Sequence, residues 1–298
     1  MRIRSLLLAL VLGLASGSAG AQPKLKVFIS ADMEGVAGAV SEQQLGPTGF
    51  EYAKFREIMT GEVLAAIEGA RAAGATEILV ADSHGNGQNL LIDLLPPDVQ
   101  LVRSWPRPLS MMQGIDETFD AAVFIGYHTS TANMAGVRAH SFSSANLADV
   151  RLNGASVSEG AFNAAIAGHF GVPVVAISGD DAVVAEVKKV VPAIEGAVVK
   201  WAYGFHSARM LTPKAAAAEI KARVQAGVGG RSAAKPYRLS SPVTLEVRFK
   251  NYRPSEVLAY LPIVERTDSH TIRFRGRDMP EVTRFFSFLS NYQPDLSP

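Results

Sequence analysis

Four short apolar runs, Leu25 to Ser30, Glu77 to Ala81, Ala121 to Gly126 and Pro173 to Ser178, set the framework of this chain. Runs of this length with little polar alternation read as strands buried on both faces, the pattern of a parallel sheet covered by helices. Between the first two lies Phe50 to Ala73, with Phe55, Ile58, Met59, Val63, Ile67 and Ala70 near helical spacing and Gly74 closing the segment. Strand, helix, strand in that order makes a parallel pair. A second helix is expected from about Ser158 to His169, capped by Ser156 or Ser158 and ended by Gly171-Val172-Pro173 before the fourth run. The fold class is therefore α/β, a mainly parallel sheet with flanking helices in three layers.

Beyond about residue 205 the texture changes. Thr212-Pro213 opens an Ala-rich helix to about Val224, and Gly227 to Ala234 reads as a loop. Val243 to Phe249 alternates apolar and polar residues, as a half-buried strand does. Leu261 to Thr267 and His270 to Gly276 read as two further strands joined at Asp268-Ser269, and Asp278 with Glu281 forms a capping box for a last helix to Asn291. The expected organisation is an α/β domain over residues 22–205 and a smaller α+β unit over 206–298.

The start of the chain has the features of an export signal. Arg2 and Arg4 precede an apolar run from Leu6 to Leu14, and Ala19-Gly20-Ala21 offers a cleavage site that leaves Gln22 first. The run is shorter than the roughly 20 residues of a spanning helix, so residues 1–21 are expected to be removed, leaving a periplasmic or secreted protein without a membrane anchor. The 298 residues contain no Cys, so any metal must be held by His, Asp and Glu. A net charge of +1, with no basic run interleaved with aromatics, argues against a nucleic-acid partner.

The residues directly after the apolar runs carry the chemistry: Asp32 and Glu34 after the first, Asp82-Ser83-His84 after the second, Tyr127-His128 after the third, Gly179-Asp180-Asp181 after the fourth. In an open parallel sheet the ligand site lies beyond the carboxyl ends of the strands, so these residues are expected to converge. Asp32 and Glu34, at i and i+2, point the same way from extended backbone and repel unless a cation or a shared proton intervenes. Taken alone they fit a turn with Asp32 as a cap equally well. Joined by His84, His128 and Glu159, they make a set of two imidazoles and three carboxylates. That is too many for one tetrahedral zinc and suits two ions bridged by a carboxylate, with zinc the best match and manganese or cobalt as alternatives.

His140 is placed as a general acid or base beside the metals, with a surface-loop role equally compatible with its spacing. His169, His206 and His270 read as structural, and Asp180 and Asp181 as helix caps. There is no Gly-x-Ser-x-Gly, no His-Glu-x-x-His and no Walker loop, and Gly85-Asn86-Gly87 has Leu90 where a dinucleotide loop needs a third glycine.

With these residues in hand, the chain resembles the DppA-type D-aminopeptidases, the M55 family of metallopeptidases. The resemblance rests on Ser30-Ala31-Asp32-Met33-Glu34-Gly35, Asp82-Ser83-His84, Gly126-Tyr127-His128, His140-Ser141 and Glu159-Gly160, in that order, and spans about residues 25 to 290. It implies that Asp32, Glu34, His84, His128 and Glu159 hold two zinc ions with Asp32 as the bridge, and that His140 is the catalytic histidine. It also implies release of N-terminal D-residues from short D-peptides by a ring-like homo-oligomer. The stretch Thr129 to Ala139 is about one residue longer than the family pattern. The expected function is thus an exported dinuclear zinc aminopeptidase; a related metal-dependent amidase or esterase, and an exported peptide-binding protein of a transporter, are the alternatives.

Overall fold

Two sheets share the chain, and their strands interleave along it. The computed structural model describes residues 24–292, and the expected leader, residues 1–21, lies outside the described residues. The strands are β1 (Lys26–Ala31), β2 (Glu77–Asp82), β3 (Gln100–Val102), β4 (Ala121–Tyr127), β5 (Leu147–Leu152), β6 (Ala155–Ser156), β7 (Val174–Asp180), β8 (Glu195–Gly204), β9 (Ser207–Met210), β10 (Val243–Phe249), β11 (Val264–Arg266) and β12 (Thr271–Gly276). The helices are α1 (Glu42–Leu45), α2 (Tyr52–Ala72), α3 (Glu159–His169), α4 (Asp181–Lys188), α5 (Pro213–Gly229), α6 (Tyr252–Leu258) and α7 (Met279–Asn291).

The larger sheet runs in the order β3-β2-β1-β4-β7-β8-β9, parallel throughout except for the β8–β9 hairpin. From β1 the chain first steps to β2 and β3, then returns to place β4 on the other side of β1. The boundary between β1 and β4 is therefore the point where strand order reverses, the place where open α/β sheets bind ligands. Side chains alternate across the sheet as its pleat requires. Val27, Ile29 and Ala31 join the apolar layer under α2 and α5, and Phe28 joins the opposite layer with α3, α4 and α7. The second layer continues into a five-stranded antiparallel sheet, β11-β12-β10-β5-β6. The α/β class with an added antiparallel sheet is as expected.

The chain does not change sheets at residue 205. β9 and α5 continue the parallel layer, where α5 packs on α2 so closely that a Cβ on Gly69 would lie 2.5 Å from the Lys221 carbonyl oxygen. The antiparallel sheet in turn takes β5 and β6 from before that point. Their turn, Asn153-Gly154, has φ of 48° and 85°, the left-handed pair that a two-residue hairpin favours. Three smaller expectations shift. The helix after Thr212 runs on to Gly229, the strand within 261–267 shortens to β11, and the capping box of α7 is half formed. Asp278 accepts the Glu281 amide, but Glu281 accepts from Arg277. No helix among the described residues is long and apolar enough to cross a membrane.

Candidate metal centre

Beyond Ala31 the backbone leaves β1 beside the end of β4: Asp32 N donates to Ile125 O at 2.8 Å and Gly35 N to Gly126 O at 2.7 Å. A Cβ on Gly35 would lie 2.0 Å from the Tyr127 carbonyl oxygen, so only glycine lets Glu34 return over the site this tightly. His84 leaves the end of β2 in a turn clamped by Asp82, whose carboxylate accepts from the amides of Asn89 (2.5 Å) and Leu90 (2.8 Å), while Asn89 Nδ2 donates to His84 O (2.6 Å). His128 follows β4. Glu159 opens α3, whose N-cap Ser158 accepts from Ala161 N. All these predicted residues meet at one edge of the sheet and are buried.

Two triads share Asp32, and a further group, Glu34, His128 and His140, spans them. Asp32, Glu34 and His84 form one triad and Asp32, His128 and Glu159 the other, with ligand atoms in each within 4.8 Å of one another. His84 Nδ1 lies 3.1 Å from Asp32 Oδ1 and 2.8 Å from Glu34 Oε2; His128 Nε2 lies 3.4 Å from Asp32 Oδ2 and 3.2 Å from Glu159 Oε1. Asp32 thus turns one oxygen to each triad. Asp32 Oδ2, Glu34 Oε2 and His128 Nε2 are buried without an aligned hydrogen bond. Buried polar atoms are ordinarily paired, so three orphans converging from hard and borderline donors fit a divalent cation.

His140 is in the site and not on the surface. Its ring stacks on His128, centroids 4.0 Å apart and 9° between planes, and its Nε2 faces Glu34 at 3.8 Å and Glu159 at 3.9 Å. Each of the three imidazoles gives its outer nitrogen to a backbone carbonyl: His84 Nε2 to Leu45 O at 2.7 Å, His128 Nδ1 to Thr129 O at 3.0 Å, His140 Nδ1 to Arg138 O at 2.7 Å. A carbonyl only accepts, so the proton belongs on those nitrogens and the other nitrogen of each neutral ring presents its lone pair inward. Arg138 and Phe142, on either side of His140, hold φ of 56° and 62°, a conformation that side-chain-bearing residues adopt only under constraint. The constraint is visible: Arg138 N donates to Phe205 O, Phe142 N donates to Glu159 Oε1 at 2.6 Å, and the Phe142 ring packs on Phe162 and Phe286.

Charge is out of balance here. Burial raises the Asp32 carboxyl, and the Glu34 charge raises it further. Burial opposes charge on His84 and His128, but the carboxylates of Glu34 and Asp32 around the first, and of Glu159 and Asp32 around the second, hold both imidazoles well above their usual range. Without a metal, protons take the place of cations.

Asp180 accepts from Val183 N to cap α4 and also from Val137 N, tethering the loop that leads to His140. Glu186 holds the same loop through Ser130 N and Asn133 Nδ2. Asp181 lies on the exposed side of α4. His169 and His206 are exposed and His270 is half-buried, all three outside the centre, as expected. Sequence reasoning missed Lys200 and Glu62, both wholly buried behind the 34–39 segment. Burial brings Lys200 down to about 8 and pushes Glu62 up to about 7. Each had a signal: Lys200 interrupts the apolar stretch of β8 between Ala197-Val198-Val199 and Trp201, and Glu62 sits three residues after Met59 on the apolar face of α2.

A family model for M55 peptidases, described as D-aminopeptidase, matches residues 25–288. The D-aminopeptidase of Bacillus subtilis (strain 168) is 32% identical over 262 residues, covering 87% of this chain and 94% of that protein. A solved structure described as the Zn-dependent D-aminopeptidase DppA from Bacillus subtilis, a self-compartmentalizing protease, superposes with a TM-score of 0.85 at 30% identity, over 89% of this chain and 97% of that one. The chain belongs to the M55 D-aminopeptidase family and is a metal-dependent aminopeptidase.

Proposed function

We propose that this protein releases N-terminal D-residues from short D-peptides, using two zinc ions per subunit held by Asp32, Glu34, His84, His128 and Glu159, with Asp32 shared between them. The observation that carries the reading is the pair of triads meeting at Asp32, each oxygen of one carboxylate turned to a different imidazole. Zinc at such a centre supplies a Lewis acid for the scissile carbonyl and brings the ionisation of water close to neutral pH.

The side chains do the rest. Glu34 and Glu159 bring negative charge to opposite sides of Asp32, one to each triad. His140, with its Nδ1 proton held by the Arg138 carbonyl, keeps Nε2 free to take a proton from the attacking water and to return it to the leaving amine. Stacking on His128 and the constrained residues on either side hold that ring in place, which preserves the geometry between steps. Export follows from the leader read in residues 1–21, giving a periplasmic or secreted enzyme. A ring-like homo-oligomer is supported by the self-compartmentalizing relative and by large exposed apolar side chains such as Phe50, Tyr203, Met134 and Tyr260.

Matched D- and L-alanyl peptides incubated with the zinc-loaded protein, with products identified by mass, test the substrate. Release of the N-terminal residue from the D-peptides alone is the expected result. Cleavage of only the L-series, or binding of peptides without turnover, would refute the proposal, the latter in favour of a transporter's binding protein.

A further inference from the structure

Lys200 is among the largest wholly buried side chains, and neither triad uses it. It stands on β8 opposite Asp180 of β7, and its ammonium donates to three backbone carbonyls, those of Glu34, Val36 (3.2 Å) and Ala39 (2.7 Å). Three bonds use every proton an ammonium carries. A lysine serving as acid, base or nucleophile needs a proton or lone pair aimed at the reacting atoms, whereas here all the N–H groups face the backbone of one loop.

That loop is the segment on which Glu34 rides. Its amides are tied from other sides: Gly35 N to Gly126 O at 2.7 Å, Val36 N to Met33 O at 3.1 Å, and Ala37 N to Glu62 Oε1 at 2.8 Å. The Val36 carbonyl also accepts from Ala39 N at 3.1 Å, but the buried carbonyls of Glu34 and Ala39 have the ammonium as their partner in place of water. Lys200 therefore occupies the place of a bound cation, with the loop folded around it. Glu34 is gripped between the two: its backbone oxygen is held by Lys200 and its carboxylate lies against His84.

The geometry points to Lys200, assisted by Glu62, as a positioning residue: an internal cation that fixes segment 34–39 and so presents Glu34 to the metal position it forms with Asp32 and His84. The inference rests on the two-metal reading above. Partners behind a ligand orient it, and losing them commonly weakens metal binding about 10- to 100-fold.

Zinc affinity at the two positions, measured on the full chain by competition with a chromogenic chelator, is the test. Lys200→Met is expected to weaken one position about 10- to 100-fold and leave the other near wild type. In a Glu34→Gln background, which weakens the same position directly, Lys200→Met is expected to add little, because both changes act through one carboxylate. Wild-type affinity at both positions in Lys200→Met, or an equal further loss in the Glu34→Gln background, would overturn the assignment. Should Lys200→Met yield no folded protein, Glu62→Met takes its place: weaker zinc at that one position supports the clamp, and unchanged affinity overturns it. A wild-type chain that binds no zinc would instead defeat the two-metal reading itself.

Discussion

The outer face of the antiparallel sheet and the edge of the parallel sheet beyond β1 both gather acidic and basic side chains, but they settle their charge in opposite ways. On the outer face Arg273 reaches Glu246 at 2.7 Å and Glu265 at 3.2 Å, and Arg151 reaches Asp149 at 2.6 Å. Each of these acids has a neighbouring guanidinium, and water reaches the group. At the edge beyond β1, the ion-pair partners of three buried carboxylates are imidazoles, whose neutral forms bring no charge, and three polar atoms are left without an aligned partner. Paired, solvated charge describes a surface. Buried, unbalanced charge describes a place for cations.

Breaking the second region should have the larger effects. His140→Ala removes a member of the Glu34–His128–His140 group but keeps both triads that share Asp32, so zinc content should stay near wild type while turnover falls about 10²- to 10⁴-fold, the usual contribution of a positioned proton-transfer group. Elemental analysis beside steady-state kinetics checks this, and full activity in the variant would remove His140 from the mechanism.

A smaller effect comes from Glu62. Its carboxyl is pushed from 4.5 up to about 7 by burial, so the folded state holds a proton that the unfolded state has lost. Stability therefore falls as pH rises from about 4.5 to about 7 and is flat above that, by about 3 kcal/mol for a shift of this size. Glu62→Gln, which keeps an acceptor for Ala37 N, should raise the melting temperature at pH 8 and change it little at pH 4. An equal shift at both would show that burial is not the cause.

The smallest effect belongs to the outer face. Arg273→Ala should leave zinc affinity and turnover near wild type and lower the melting temperature only slightly, since surface pairs that water reaches contribute little. A large loss of activity there would erase the contrast between the two regions.

Much of this is legible in the residues themselves. The parallel strands announce themselves as apolar runs because both of their faces are covered, and the site residues stand directly after them, where the sheet must deliver them to one edge. β8 is harder to see: its burial is uneven and Lys200 breaks the run at the very point where it is most deeply buried. The partners that explain Lys200 are backbone carbonyls, which leave no mark on a sequence. The β5–β6 hairpin does leave one, in Asn153-Gly154, but the strands beside it are short and β5 pairs with β10, nearly a hundred residues later. His140 is compatible by spacing alone with a place in the centre or on a surface loop, and its burial and stacking on His128 put it in the centre.

In the proposed function one carboxylate, Asp32, organises two metal positions. Equilibrium dialysis of the purified protein against zinc, followed by elemental analysis of wild type and Asp32→Asn, tests this directly. About two zinc ions per chain are expected in the wild type, with a loss from both positions in the variant. One ion per chain in the wild type, or two retained in Asp32→Asn, would contradict the shared carboxylate.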